Sequence, residues 1–120
     1  MKLESKFYNE LKRITPQITW TRLENASLLG TPDLLGYNFH QHFFTVELKV
    51  TKTNKVRLSP HQISFHIRHP KNTFILVKTK VDCHLYSGNQ VRELFEKCLS
   101  VKPIVYGLRE SCLHFENIGK

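Results

Sequence analysis

From Phe43 to Val50 the sequence reads Phe-Phe-Thr-Val-Glu-Leu-Lys-Val, a β-branched and aromatic run that favours a strand. Alternate side chains of a strand share a face. Glu47 and Lys49 therefore point one way, while Val46, Leu48 and Val50 point the other way, into a core. Upstream, Gly30-Thr31-Pro32-Asp33-Leu34-Leu35-Gly36 supplies a partner strand. Pro32 fixes its own φ and offers no N–H, so it suits the start of a strand better than its middle. Turn signals fill Gly36 to Gln41. The two runs form one β-hairpin, from about Asp33 to Thr51, with an acid at the start of its first strand and an acid and a lysine in its second.

Taken alone, Glu47 and Lys49 describe a solvent-exposed ion pair worth ~0–1 kcal/mol. Asp33 on the partner strand adds a second carboxylate at the same place. Two converging carboxylates suit a hard divalent cation, which prefers oxygen ligands. Lys49 would stand beside it, able to orient or polarise a water.

Charge is distributed to match. The chain has 18 Lys and Arg against 10 Asp and Glu, a net +8. From Lys49 through Lys80 there are eight basic residues and no acid. That block begins at the hairpin acids, so positive potential lies where a phosphate backbone would approach. Lys52, Lys55 and Arg57 occupy a polar loop, Thr51 to Arg57, expected to straddle DNA. His61 is a further phosphate contact or a plain surface residue. Arg68 and Lys71 belong to a basic turn, Arg68-His69-Pro70-Lys71-Asn72.

At 120 residues the chain is expected to be a single domain, with a core small enough that self-association would help it. No run approaches the ~20 apolar residues of a membrane span. Met1-Lys2-Leu3-Glu4-Ser5-Lys6 lacks the apolar core of a signal peptide. Cys83, Cys98 and Cys112 show no paired spacing and read as free thiols of a reducing, cytoplasmic setting.

The remaining elements follow in order. Residues 2–14 have helical periodicity, with Leu3, Phe7, Leu11 and Ile14 on one stripe. Glu4 and Glu10 flank that stripe, and periodicity does not choose between them. Pro16 ends the helix. Ile18 to Leu23 suits a short strand with Trp20 as a core or edge anchor, and Glu24 to Leu29 lead into the hairpin. Ser59-Pro60-His61-Gln62 opens a helix to about Arg68: Ser59 is a good N-cap, Pro60 fits the first turn, and Gln62 completes a capping box. Thr73 to Lys80 reads as a buried strand and Cys83 to Tyr86 as its hairpin partner. Ser87-Gly88-Asn89 caps a helix, Val91 to Leu99, with Val91, Leu94, Phe95 and Leu99 inward. The expected order is α-β-β-β-α-β-β-α, a mixed α/β domain with helices on a central mixed sheet. Residues 101–120 are too apolar for a disordered tail. They are expected to extend a core of about residues 1–100, covering the sheet edge or forming a dimer surface.

Pro32-Asp33, thirteen intervening residues, then Glu47-Leu48-Lys49 resembles the motif of the PD-(D/E)XK nuclease superfamily. Leu58-Ser59-Pro60-His61-Gln62 resembles the helix start that follows this hairpin in its Holliday-junction-resolvase and virus-type replication-repair branches. The resemblance covers about residues 1–90 and implies a restriction-endonuclease-like core. It also implies Mg²⁺ or Mn²⁺ held by Asp33, Glu47 and the backbone carbonyl of Leu48. An acid from the first helix would join them; Glu4 fits that pattern better, with Glu10 in reserve. Lys49 would position the attacking water, and Gln62 would lie close to Lys49, a role that stands beside its capping role. The implied activity is a structure-selective DNA endonuclease, a Holliday junction resolvase first, working as a homodimer on branched or duplex DNA. The virus-type branch suggests a phage product acting in a bacterial cytoplasm.

Three other readings stay open: a nuclease for flaps, ends or single strands; a basic nucleic-acid-binding module without catalysis; and a zinc protein. For zinc, His40 and His42 are a possible ligand pair without an evident third partner.

Overall fold

The structure is a computed structural model that describes residues 3–23 and 30–120. The Glu24 to Leu29 lead-in and the first two residues of the N-terminal reading lie outside the described residues. Helix α1 spans Leu3–Ile14, followed by strands β1 (Thr19–Arg22), β2 (Leu34–Tyr37) and β3 (Phe43–Val50). Helix α2 (Pro60–Arg68) leads to β4 (Thr73–Lys78) and β5 (Cys83–Ser87). Helix α3 (Val91–Lys97), the short β6 (Val105–Tyr106) and helix α4 (Leu108–Glu116) complete the chain.

The six strands form one sheet in chain order. All neighbours are antiparallel except β3 and β4, which run parallel, with Glu47 beside Ile75 and Lys49 beside Val77. A parallel pair requires a crossover connection. Here it contains α2, which begins near the end of β3 that carries Lys49 and returns along the sheet. The mixed α/β architecture is the one expected.

Side-chain alternation divides the core between the two faces. Phe44, Val46, Leu48, Phe74 and Leu76 meet Phe7 and Leu11 of α1 and Cys112 and Phe115 of α4. On the other face Ile75, Val77 and Tyr86 meet Leu58, Val91, Leu94 and Val101. Strand β4 is buried on both faces, which explains its continuous apolar run, Phe74-Ile75-Leu76-Val77. Trp20 packs edge to face on Phe44 and Phe115, and its indole N–H donates to Thr15 Oγ1 at 2.8 Å. All three cysteines are free. Burial pushes the Cys83 and Cys112 thiols up to about 12, away from reactivity. Among the described residues, no helix is long and apolar enough to cross a membrane.

Two expected inward residues face out. Leu3, in the first turn of α1, is half exposed, whereas Phe7 and Leu11 further along the same stripe are fully buried. Phe95 is 53% exposed. The buried arc of α3 is centred between Val91 and Leu94, and Phe95 falls at its margin. Residues 101–120 cover the sheet edge: β6 pairs with β5, and Phe115 lies fully buried, stacked 5.1 Å from Phe44.

Candidate active site

Asp33 sits one residue before β2. Leu34 pairs with Val46, so one further antiparallel step sets Asp33 opposite Glu47. Its backbone carbonyl accepts from Leu23 N–H at 2.8 Å, and its Oδ2 accepts from Leu48 N–H at 2.8 Å. The carboxylate is therefore anchored to the strand that bears Glu47.

Glu47 is only 3% exposed. Its Oε2 accepts from Gln62 Nε2 at 3.2 Å. Among the described residues its Oε1 is buried without a hydrogen-bond donor. Burial first, and then the charge of Asp33, push the Glu47 carboxyl up to about 9; Lys49 offsets part of this. In the protein alone the ionised form of Glu47 is therefore disfavoured, and Lys49 Nζ comes only to 4.0 Å from Glu47 Oε2. Lys49 Nζ instead donates to Gln62 Oε1 at 3.1 Å.

Gln62 reaches both residues because it stands in the first turn of α2. Its N–H donates to Ser59 Oγ at 3.1 Å, and its Oε1 accepts from Ser59 N–H at 3.0 Å. In one geometry Gln62 closes the capping box and touches both Glu47 and Lys49. Gly30 brings the turn before Asp33 against the same helix. At φ +82° it lies so close that an added Cβ would stand 2.4 Å from the His61 carbonyl oxygen.

Beside this cluster runs a groove of about 530 Å³, lined by Glu4, Lys49, Val50, Thr51, Thr53, Lys55, Val56 and Arg57. Glu4 is thus on the site side of α1, where its charge adds weakly to that of Asp33 on Glu47. Glu10 is turned to the other side, paired with Lys78 at 2.8 Å. Glu4 stays at the groove rim, however. Among the described residues no group of three or more His, Cys, Asp and Glu side chains closes into a metal-binding cluster.

The expected DNA contacts divide. Lys55 and Arg57 line the groove, Lys52 lines the neighbouring one, and His61 is exposed on the first turn of α2. Arg68 and Lys71 are not brought to the site. Helix α2 runs away from it, and Arg68 lies six residues beyond Gln62, about 9 Å along the axis. Lys71 lines a separate groove with Phe74 and His114. His40 and His42 are exposed at the hairpin turn, where Asn38 Oδ1 accepts from their backbone N–H groups.

Two supporting residues escape the sequence reading. His66 is fully buried, with Nδ1 2.8 Å from the Gln62 carbonyl oxygen, and it braces the turn that carries Gln62. Its four-residue spacing from Gln62 was the available signal. Asn38 donates to the carbonyls of Phe115 and Ile118, tying the hairpin to α4. No local pattern announces partners nearly eighty residues away.

No family model matches the chain, and no curated protein matches it in sequence. Solved structures do match in fold. Hjc, a Holliday junction resolvase from the archaeal hyperthermophile Archaeoglobus fulgidus, superposes with a TM-score of 0.58 at 15% identity, over 72% of this chain and 78% of that one. A VRR_NUC domain superposes with a TM-score of 0.52 at 24% identity, over 78% of this chain and 95% of that one. Both are PD-(D/E)XK superfamily members.

The fold is that shared by Hjc and the VRR_NUC domain.

The β2–β3 hairpin of this chain offers a donor set of the right kind for a hard divalent cation. Asp33 and Glu47 supply carboxylate oxygens, and Leu48 supplies a backbone carbonyl. Glu47 Oε1 is buried and receives no N–H or O–H donor among the described residues, so it is open to a cation.

Proposed function

We propose that this chain is a metal-dependent endodeoxyribonuclease that cuts branched DNA, with the four-way junction as its first substrate. The carrying observation is Glu47: a buried carboxyl beside Asp33, one oxygen held by Gln62 and the other without a donor among the described residues, two positions along β3 from Lys49, which lines a groove with Lys55 and Arg57. The fold likeness to Hjc supports the junction as the substrate.

In this reading Asp33, Glu47 and the Leu48 carbonyl hold Mg²⁺ or Mn²⁺, and Glu4 contributes from the rim. A bound divalent cation lowers the pKa of its water and polarises the phosphoryl oxygen. Lys49 orients the attacking water and stabilises the negative charge that develops on the phosphate; its compact ammonium suits that role. Gln62 holds Lys49 in place. Lys55, Arg57 and Lys52 receive the flanking phosphates. Symmetric cutting of a junction needs two such sites, hence a homodimer, and the three free thiols accord with work in a cytoplasm.

The test is cleavage of a four-way junction against duplex, flap and single-stranded DNA of the same sequences, with Mg²⁺, with Mn²⁺ and with EDTA. Paired symmetric nicks in the junction, absent in EDTA and in Asp33→Asn, are expected. Equal cutting of every substrate would remove the junction claim and keep the nuclease. Retained binding with no cutting in any lane would leave a basic DNA-binding module.

A further inference from the structure

A second groove, of about 370 Å³, adjoins the first and shares Thr53 with it. Its lining includes Lys52, Asn54, Lys80, His84 and Tyr106, and no acid. The site described above uses only Lys52 of these.

The sheet register locates it. Lys49 pairs with Val77, Val77 with His84, and His84 with Tyr106. These residues form one row across four adjacent strands. At about 4.8 Å per strand, Tyr106 stands roughly 14 Å from Lys49.

The chemistry is that of a stacking platform flanked by cations. Tyr106 is 50% exposed on a strand of two residues. Its ring meets His84 edge to face at 5.0 Å, and His84 in turn lies parallel to Tyr86 at 6.5 Å. Tyr86 is fixed through its hydroxyl, which donates to the Val101 carbonyl at 2.9 Å. The row therefore holds Tyr106 in place while leaving half of it in solvent. On His84, which lines the groove, Nδ1 is buried and has no hydrogen-bond partner among the described residues. The nearby acid, Asp82, is engaged with the backbone N–H groups of Cys83 and Leu108. Leu99 N–H donates to the Asn54 carbonyl at 3.2 Å, which ties the loop bearing Lys52 to this end of the sheet.

We infer that this groove is a subsite for an unpaired DNA strand, with a base stacked on Tyr106 and its phosphates on Lys52 and Lys80. Duplex DNA keeps its base faces covered, whereas a strand leaving a branch point exposes them. Stacking of this kind tolerates any base. The inference rests on the reading of the neighbouring groove as a DNA site. It makes the enzyme's preference for branched DNA a matter of one strand captured beyond the cleaved phosphate.

The experiment is fluorescence anisotropy in EDTA with a labelled oligothymidylate and a labelled hairpin duplex, on wild type, Tyr106→Ala, Tyr106→Phe and Lys80→Ala. Tyr106→Ala is expected to weaken oligothymidylate binding about tenfold, with Tyr106→Phe binding like wild type. Duplex binding should change by less than about twofold in each aromatic variant. Lys80→Ala should weaken the single strand and flatten its salt dependence. Unchanged oligothymidylate binding in Tyr106→Ala, or equal weakening of both probes, would overturn the subsite. Cleavage separates the two readings. A wild type that cuts junctions, with Tyr106→Ala binding as it does, removes only the subsite. A wild type that cuts nothing yet binds single strands through Tyr106 removes only the nuclease. A wild type that binds neither probe removes both.

Discussion

Gln62 Oε1 serves Lys49 and the helix cap together: the Lys49 ammonium donates to it at 3.1 Å and the Ser59 backbone N–H at 3.0 Å. The two roles can be separated by substitution. A Glu at this position keeps a capping acceptor but loses the N–H that reaches Glu47. Gln62→Glu should therefore keep its melting temperature while junction cleavage falls about a hundredfold through misplacement of the site. Gln62→Ala should lose both, with a stability cost of about 1 kcal/mol. Normal cleavage by a folded Gln62→Glu would reduce Gln62 to a cap.

The hairpin residues should act on turnover and not on affinity. Asp33→Asn and Glu47→Gln change little in shape and remove a cation ligand, so cleavage should disappear while DNA binding in EDTA persists. Lys49→Ala should remove turnover and retain Mn²⁺ binding by calorimetry. Full activity in any of the three, at matched folding, would sink the assignment.

Glu47 also predicts an inverse pH dependence of stability. Its folded pKa, about 9, lies above the ordinary 4.5, so the folded state holds a proton that the unfolded chain releases. Stability from this group is intact below about 4.5 and falls as pH rises towards 9. Glu47→Gln, which needs no proton, should be more stable than wild type at pH 7, by roughly 1–3 kcal/mol, and equal to it near pH 4. Denaturant melts at the two pH values check this. A constant difference would mean that Glu47 is already ionised in the folded protein.

The basic residues should divide as the structure divides them. Lys55→Ala or Arg57→Ala should reduce the salt dependence of junction binding by about one charge. Arg68→Ala and Lys71→Ala, at the far end of α2, should leave it unchanged. Titrations at several salt concentrations decide it.

Phe115 lies near the C-terminus and yet inside the core, against Trp20, Phe44 and Phe74. Phe115→Ala should cost about 3–5 kcal/mol by chemical denaturation. A cost near zero would return the last helix to the surface.

Much of this was legible because hairpin, capping box and strand alternation are local. Asp33, Glu47, Lys49 and Gln62 could be placed from short-range rules, and the structure brings them together. What escaped was set by distant partners. Glu4 and Glu10 are equivalent by periodicity, and distant partners separate them: Glu10 pairs with Lys78, while Glu4 lines the groove with Lys49, Lys55 and Arg57. Arg68 and Lys71 share the basic block in sequence, but α2 carries them away from the groove. Phe95 has helical spacing for burial but falls at the margin of the buried arc of α3. The tail read as apolar without an address, because its partners are in β5 and in the aromatic core.

Gly30 gives the contact between the turn before Asp33 and the first turn of α2 a genetic meaning. A single methyl group there would overlap the His61 carbonyl and act as a wedge between the segment that delivers Asp33 and the turn that delivers Gln62. Position 30 should admit one amino acid in a selection for activity, although it carries no chemistry. A screen that reads only function would score it with the ligands, and a search for ligands would pass it by.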